Sequence, residues 1–125
     1  MRNITSAIKT VASLRPQAIT TSTNGESVDR LGYLSAAAVL DIGAVSGTSP
    51  TLDVKIQESD DESTWTDVPG ATFTQMTAAD QREELGLELQ TRKRYLRAVA
   101  TPGGTSPNFQ TSCIFILGRA RVYPI

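Results

Sequence analysis

The sequence predicts an all-β protein, an antiparallel β-sandwich that is jelly-roll-like and carries an extended N-terminal arm. Three observations predict it. Ser and Thr supply 27 of the 125 residues against three Lys and seven aromatics, a composition that favours extended, turn-rich chain over helix. Leu52, Val54 and Ile56 alternate with Asp53, Lys55 and Gln57, the period of two that a half-buried strand requires. Turn residues recur between such segments at the short, regular spacing of sandwiches and jelly rolls. A chain of 125 residues suits one domain and buries about two-thirds of its unfolded surface. We therefore expect residues 1–16 as an arm and residues 17–125 as a single β-sandwich domain.

The elements follow in order. Ile4, Ile8, Val11 and Leu14 match helical and strand spacing about equally. Thr5, Thr10 and Val11 weaken a helix and Pro16 forbids its continuation through Arg15, which leaves an extended or partly ordered arm. Ala18 to Thr23 is β-branched, and Asn24-Gly25 after it predicts a hairpin turn with Glu26 to Asp29 returning. Ser35 to Ile42 reads as a strand buried on both faces. The alternation at Leu52 to Gln57 gives the next strand, Ser59 to Thr64 a polar loop, Trp65 to Val68 a short strand and Pro69-Gly70 a turn. Ala71 to Met76 alternates so that Phe73 faces the core. Leu85, Leu87 and Leu89 alternate with Glu84, Gly86 and Glu88, and Arg94 to Ala100 and Asn108 to Val122 complete eight or nine short strands. Gly47-Thr48-Ser49-Pro50 recurs as Gly104-Thr105-Ser106-Pro107. Equivalent hairpins in two facing sheets would produce that echo, and so would ordinary loop composition.

Composition limits the chemistry. With no His and one Cys, the chain has no imidazole base, no Ser-His or Cys-His dyad, no intrachain disulfide and no thiolate cage. The start of the chain lacks a signal-peptide pattern, and no apolar run approaches the length of a membrane span. The Asn3-Ile4-Thr5 sequon is then read as chance. A net charge of −1 argues against a general nucleic-acid binder. The balance hides a segregation: no acidic side chain precedes Glu26, Asp53 to Asp67 is acidic, and Arg92, Lys93, Arg94 and Arg97 form a basic cluster. Such a pattern is ordinary for a solvated surface. It also suits subunits that meet or an arm lying on an acidic partner.

Each candidate site has a plainer reading. Asp60-Asp61-Glu62 with Asp67 resembles a calcium site only in its carboxylates, without the EF-hand pattern. Glu83 and Glu84 are strand neighbours that point to opposite faces, so they cannot flank one glycosidic bond. Trp65 could stack on a sugar, but a single tryptophan beside a turn more often plugs a core. Cys113 lies in an apolar strand as a small hydrophobe. The basic cluster at 92–97 reads as a strand with one basic face that the acidic loops can pair. No enzyme and no cofactor are expected.

Val39-Leu40-Asp41-Ile42-Gly43, the run from Gly47 through Asp61 to Val68, Arg94 to Val99 and Phe115 to Arg121 together resemble small structural proteins encoded in the head-gene region of tailed bacteriophages. The resemblance covers most of Ser35 to Ile125. It implies a capsid decoration, or cement, protein made in the host cytoplasm and bound to the outside of the virion shell. Such proteins are β-rich, often homotrimeric at local threefold positions, and grip the major capsid protein with chain termini. On that reading Arg2, Ile4, Ile8, Lys9, Val11, Leu14 and Arg15 form the partner-binding arm, which spans at most about 50 Å when extended. Many weak contacts of this kind would gain strength by multivalency. Neither nucleic acid nor membrane is expected as a partner. The alternatives are a carbohydrate-binding module of a phage fibre, using Trp65 with Asp60 and Asp61 on a glycan, and a tail or neck structural protein.

Overall fold

The computed structural model describes residues 8–118. Among these residues the chain is all β: β1 (Ile8–Ile19), β2 (Thr23–Asn24), β3 (Val28–Asp29), β4 (Ser35–Ser59), β5 (Thr66–Thr72), β6 (Gln81–Glu88) and β7 (Tyr95–Gly118). Strands β4 and β7 run for 25 and 24 residues, against a usual five or six, and they set the architecture. They pair antiparallel along their whole length, from Ser35 opposite Gly118 to Ser59 opposite Tyr95. Three register shifts interrupt that pairing between Ile42 and Thr51. Extra residues of this kind bend and twist a strand, and here the sheet folds over to give a sandwich-like fold. One half-sheet runs β6, the start of β4, the end of β7, then β1. The other runs β5, the end of β4, the start of β7, then β2 and β3.

The two Gly-Thr-Ser-Pro segments meet at the fold, with Thr48 paired to Thr105. Their backbones match: Gly47 and Gly104 have φ of +116° and +97°, and Ser49 and Ser106 have +48° and +49°. A Cβ on Gly47 would lie 2.7 Å from the Ser106 carbonyl oxygen, and one on Gly104 2.5 Å from that of Ser49. Glycine is required at both places for conformation and for space. The echo is therefore a paired corner inside two continuous strands and not two hairpins.

The same spacing relates the rest of the chain. Ile19 opposite Phe109 recurs, with each residue moved by 57 positions and the partners exchanged, as Met76 opposite Leu52. Val28 opposite Leu96 recurs as Leu85 opposite Ala38, and Thr23 opposite Ala100 as Gln81 opposite Ile42. The offset grows by one in this half of β4, where the register shift between Ile42 and Val45 absorbs it, and also from Thr23 to Gln81, so β2 lies one residue out of step with β3. Strand β1 thus corresponds to β5, β2 with β3 to β6, and β4 to β7. The protein is a structural duplication about a pseudo-two-fold axis through the corner.

Both half-sheets turn alternate residues inward to one core. Ala36, Ala38, Leu40 and Ile42 face Phe109, Cys113, Phe115 and Leu117 on the first, and Leu52, Val54, Ile56, Leu96, Ala98 and Ala100 come from the second. Phe73 joins them as its alternation predicts, and Leu89 is buried beside them. Ser35 to Ile42 alternates in burial, so this strand is covered on one face and not on both.

The expected boundary at residue 16 falls inside β1. Val11 pairs with Phe115 and Leu14 with Cys113, and Leu14 is fully buried. Residues 8–16 are thus a strand of the sheet and not an arm. Pro16 fits because β1 lies at a sheet edge and Pro16 sits in the register shift between Leu14 and Gln17, where no ladder donor is missed. Asn24-Gly25 is not a hairpin turn either, since β2 and β3 both pair with β7. Gly25 instead lets two strands close in, because a Cβ there would sit 2.4 Å from Ser13 Oγ and 2.7 Å from the Ala98 oxygen. Pro69-Gly70 lies inside β5, with Gly70 at φ +75°.

Candidate functional site

The expected partner-binding residues divide by position. Arg2 and Ile4 lie outside the described residues. Ile8 begins β1 opposite Gly118, Lys9 is exposed, and Val11 packs against the core that Leu14 enters. Arg15 is exposed and donates from Nε to Glu26 Oε2 at 2.9 Å. Val11 and Leu14 are therefore committed to the chain's own interior, and the accessible cations of the strand are Lys9 and Arg15.

The basic cluster is used within the molecule. Arg92 pairs with the buried Glu58 at 3.5 Å, and the Lys93 amide donates to Glu58 Oε1 at 3.0 Å. Arg94 grips Asp29 with two hydrogen bonds of 3.0 and 2.8 Å and lies over the Tyr95 ring. That bidentate contact holds the Asp29 carboxyl below its usual range. Arg30 ties the segment down by donating to the backbone oxygens of Lys93 and Arg92. The acidic loop expected to pair this cluster does not supply the partners, which are Glu58 of β4 and Asp29 of β3.

The acidic loop is built around one carboxylate. Asp61 Oδ1 accepts from the amides of Ser63 and Thr64 at 2.9 and 3.0 Å and from Ser59 Oγ at 3.0 Å. The Thr64 amide, then that of Ser63, depresses the Asp61 pKa. Those lone pairs serve the turn, as Asx motifs do. Among the described residues no group of three His, Cys, Asp or Glu side chains is placed to hold a metal ion. Glu83 and Glu84 part as expected: Glu83 accepts from the Thr74 amide and hydroxyl, while Glu84 pairs with Arg82.

Trp65 is not the core plug the sequence suggested. It is only part-buried, and the Arg97 guanidinium lies 4.3 Å from its ring centroid, a cation–π distance. Arg97 also donates twice to Gln57 Oε1, Gln57 donates to Asp67, and Lys55 pairs with Asp67 at 3.1 Å. Trp65, Arg97, Gln57, Asp67 and Lys55 thus form a connected polar coat on the outer face of the second half-sheet. One face of the indole is already covered.

The outer face of the first half-sheet is different. Outward positions alternate with the buried ones to give Ala37, Val39 and Asp41 on β4, Ser112, Ile114 and Ile116 on β7, and Ala12 on β1. A shallow groove of about 340 Å³ runs over this face, floored by Val39, Ile114 and Ile116 and bordered by Asp41, Arg82 and Glu84. The sequence does not show this face, because an apolar run such as Ser35 to Ile42 reads as a strand covered on both faces. The signal was available in the apolar run of β4 paired to the apolar run Ile114 to Leu117 of β7.

No protein-family model matches the chain, and no curated protein matches it by sequence. Solved structures do share its fold. The SPBc2 prophage-derived protein YomS is similar over 88% of this chain and 93% of its own, with a TM-score of 0.51 and 10% identity. A chain in the structure of infectious bursal disease virus, Gx strain, is similar over 94% of this chain, with a TM-score of 0.61 and 11% identity. Our chain spans about a third (33%) of that viral chain's length.

Proposed function

We propose that this chain is a structural protein of a bacteriophage particle, and specifically a decoration protein that binds the outside of the capsid and stabilises it. The observation that carries the reading is the fold, which recurs over nearly the whole chain in a prophage-derived protein and in a virus structure. The resemblance of the β4 and β7 sequences to phage head proteins points the same way. The architecture suits a mechanical role. Two long strands paired antiparallel on both sides of a locked corner resist shear because many ladder hydrogen bonds must yield together. The cations Lys9 and Arg15 on an edge strand offer contacts to acidic capsid surface, where multiple copies would sum weak contacts. The glycan reading has less to stand on, since Arg97 occupies one ring face of Trp65.

The test is to mix purified protein with expanded capsids of the phage or prophage that encodes it and image them by electron microscopy. The reading expects added density at regular lattice positions on the outer surface, with capsids that survive higher temperature. Bare, unstabilised capsids at micromolar protein would overturn it.

A further inference from the structure

We infer that the outer face of the first half-sheet, centred on Val39 and Ile114, is a self-association surface on which a second copy of this chain packs face to face about a two-fold axis. The inference stands on the duplication and not on the capsid reading.

The duplication supplies an internal comparison, because each outward pair on one half-sheet has a structural counterpart on the other. Val39 opposite Ile114 corresponds to Arg97 opposite Gln57, Ala37 opposite Ile116 to Tyr95 opposite Ser59, and Asp41 opposite Ser112 to Val99 opposite Lys55. Ala12, the β1 neighbour of Ile114, corresponds in place to Asp67, the β5 neighbour of Gln57. At the central row one copy of the repeat carries a guanidinium, an amide and a carboxylate joined by hydrogen bonds. The other carries valine, isoleucine and alanine. Same backbone, same position in the sheet, opposite chemistry. A solvated sheet face is ordinarily polar, and the second half-sheet shows that this fold can supply one. The first half-sheet departs from it at the row that would lie at the centre of an interface.

The occupant follows from shape, area and charge. Four strands at about 4.8 Å spacing and eight steps of about 3.4 Å from Ser35 to Gly43 give a face of roughly 500 Å² in projection. Two such faces pack like the layers of a sandwich, about 10 Å apart. They would remove roughly 1,000 Å² in projection, and more with side-chain relief, which reaches the lower end of stable interfaces at about 1,200 Å². The border carries both signs, Arg82 against Glu84 and the exposed Asp41. A two-fold rotation can set Arg82 of one copy against Asp41 of the other, as an isologous contact requires. A trimer, which the phage resemblance implies, joins two unlike patches by heterologous contacts and so does not pair this face with itself.

The full chain should sediment at about 27 kDa, twice its 13.4 kDa, at micromolar concentration. Val39→Glu should raise the dimer dissociation constant at least 100-fold with an unchanged circular dichroism spectrum. Ile114→Cys is the gentler probe, since Cys113 is buried: bismaleimide should link two Ile114→Cys chains efficiently and fail with Gln57→Cys at the equivalent position of the other half-sheet. A monomer at all concentrations, a trimer, a dimer indifferent to Val39→Glu, or equal linking at both cysteine positions would overturn the inference. Capsid binding by a monomeric protein would remove this interface while leaving the decoration reading intact.

Discussion

Ser13 shows how much one side chain organises. It sits in the register shift of β1, and its buried hydroxyl accepts from the Ala98 amide at 3.0 Å while donating to the Glu26 oxygen at 2.8 Å. One hydroxyl thereby joins β1 to β7 and to the segment between β2 and β3. Ser13→Ala leaves a buried amide unpaired, so urea unfolding should show a loss of about 1–3 kcal/mol; a change below about 0.5 kcal/mol would contradict this role. Cys113 lies opposite Leu40, fully buried, and desolvation pushes its thiol up to about 12. It stays protonated at neutral pH, so Ellman's reagent should label it only on unfolding. Its place in the core was legible from the apolar residues around it. The place of Trp65 was not, because nothing local to Trp65 signals that Arg97, on a strand 32 positions further on, would cover its ring.

At the scale of elements, the alternation of residues identified most strands but not their continuity. Pro50 and Pro107 read as loop residues, and so β4 and β7 each appeared as two strands. The paired corner explains why they are not: each proline lies at a register shift, and the serine before it and the glycine three positions before it both take positive φ. Strand β1 was hidden for a related reason, since Val11 and Leu14 fit a helix as well as a bulged edge strand. The corner carries a symmetric prediction. Gly47→Ala and Gly104→Ala should each cost about 2 kcal/mol or more, combining unfavourable φ with a backbone clash. Gly43→Ala, where an added Cβ meets nothing nearer than 3.6 Å, should change stability by less than about 0.5 kcal/mol. Equal costs at Gly43 and Gly47 in thermal unfolding would contradict the corner.

For the whole molecule, the four-residue echo was the visible trace of a duplication whose remaining evidence lies in strand pairing. The side chains differ between the two halves, so the repeat is plain in register and faint in sequence. Stability against pH follows from carboxylates that the fold stabilises as anions. Asp61, Asp29 and Asp67 all have pKa values lowered from 3.8, the last by Gln57 and then Lys55. Their contribution is complete above pH 3.8 and is lost as pH falls below it through the folded values. The melting temperature should therefore drop below about pH 4, and Asp61→Asn should flatten that drop. Salt should weaken the exposed Asp29 to Arg94 pair more than the amide bonds of Asp61. A melting temperature that is constant from pH 6 to pH 2.5 would contradict the assignment.

The proposed role in assembly rests on an interlocked duplicated frame with one polar face and one apolar face. The most direct measurement is quantitative mass spectrometry of purified particles of the phage or prophage to which the proposed function assigns the chain. The claim predicts the protein in the particles at a fixed ratio to the major capsid protein, in many copies per shell. Particles that lack it, while infected cells contain it, would contradict the claim.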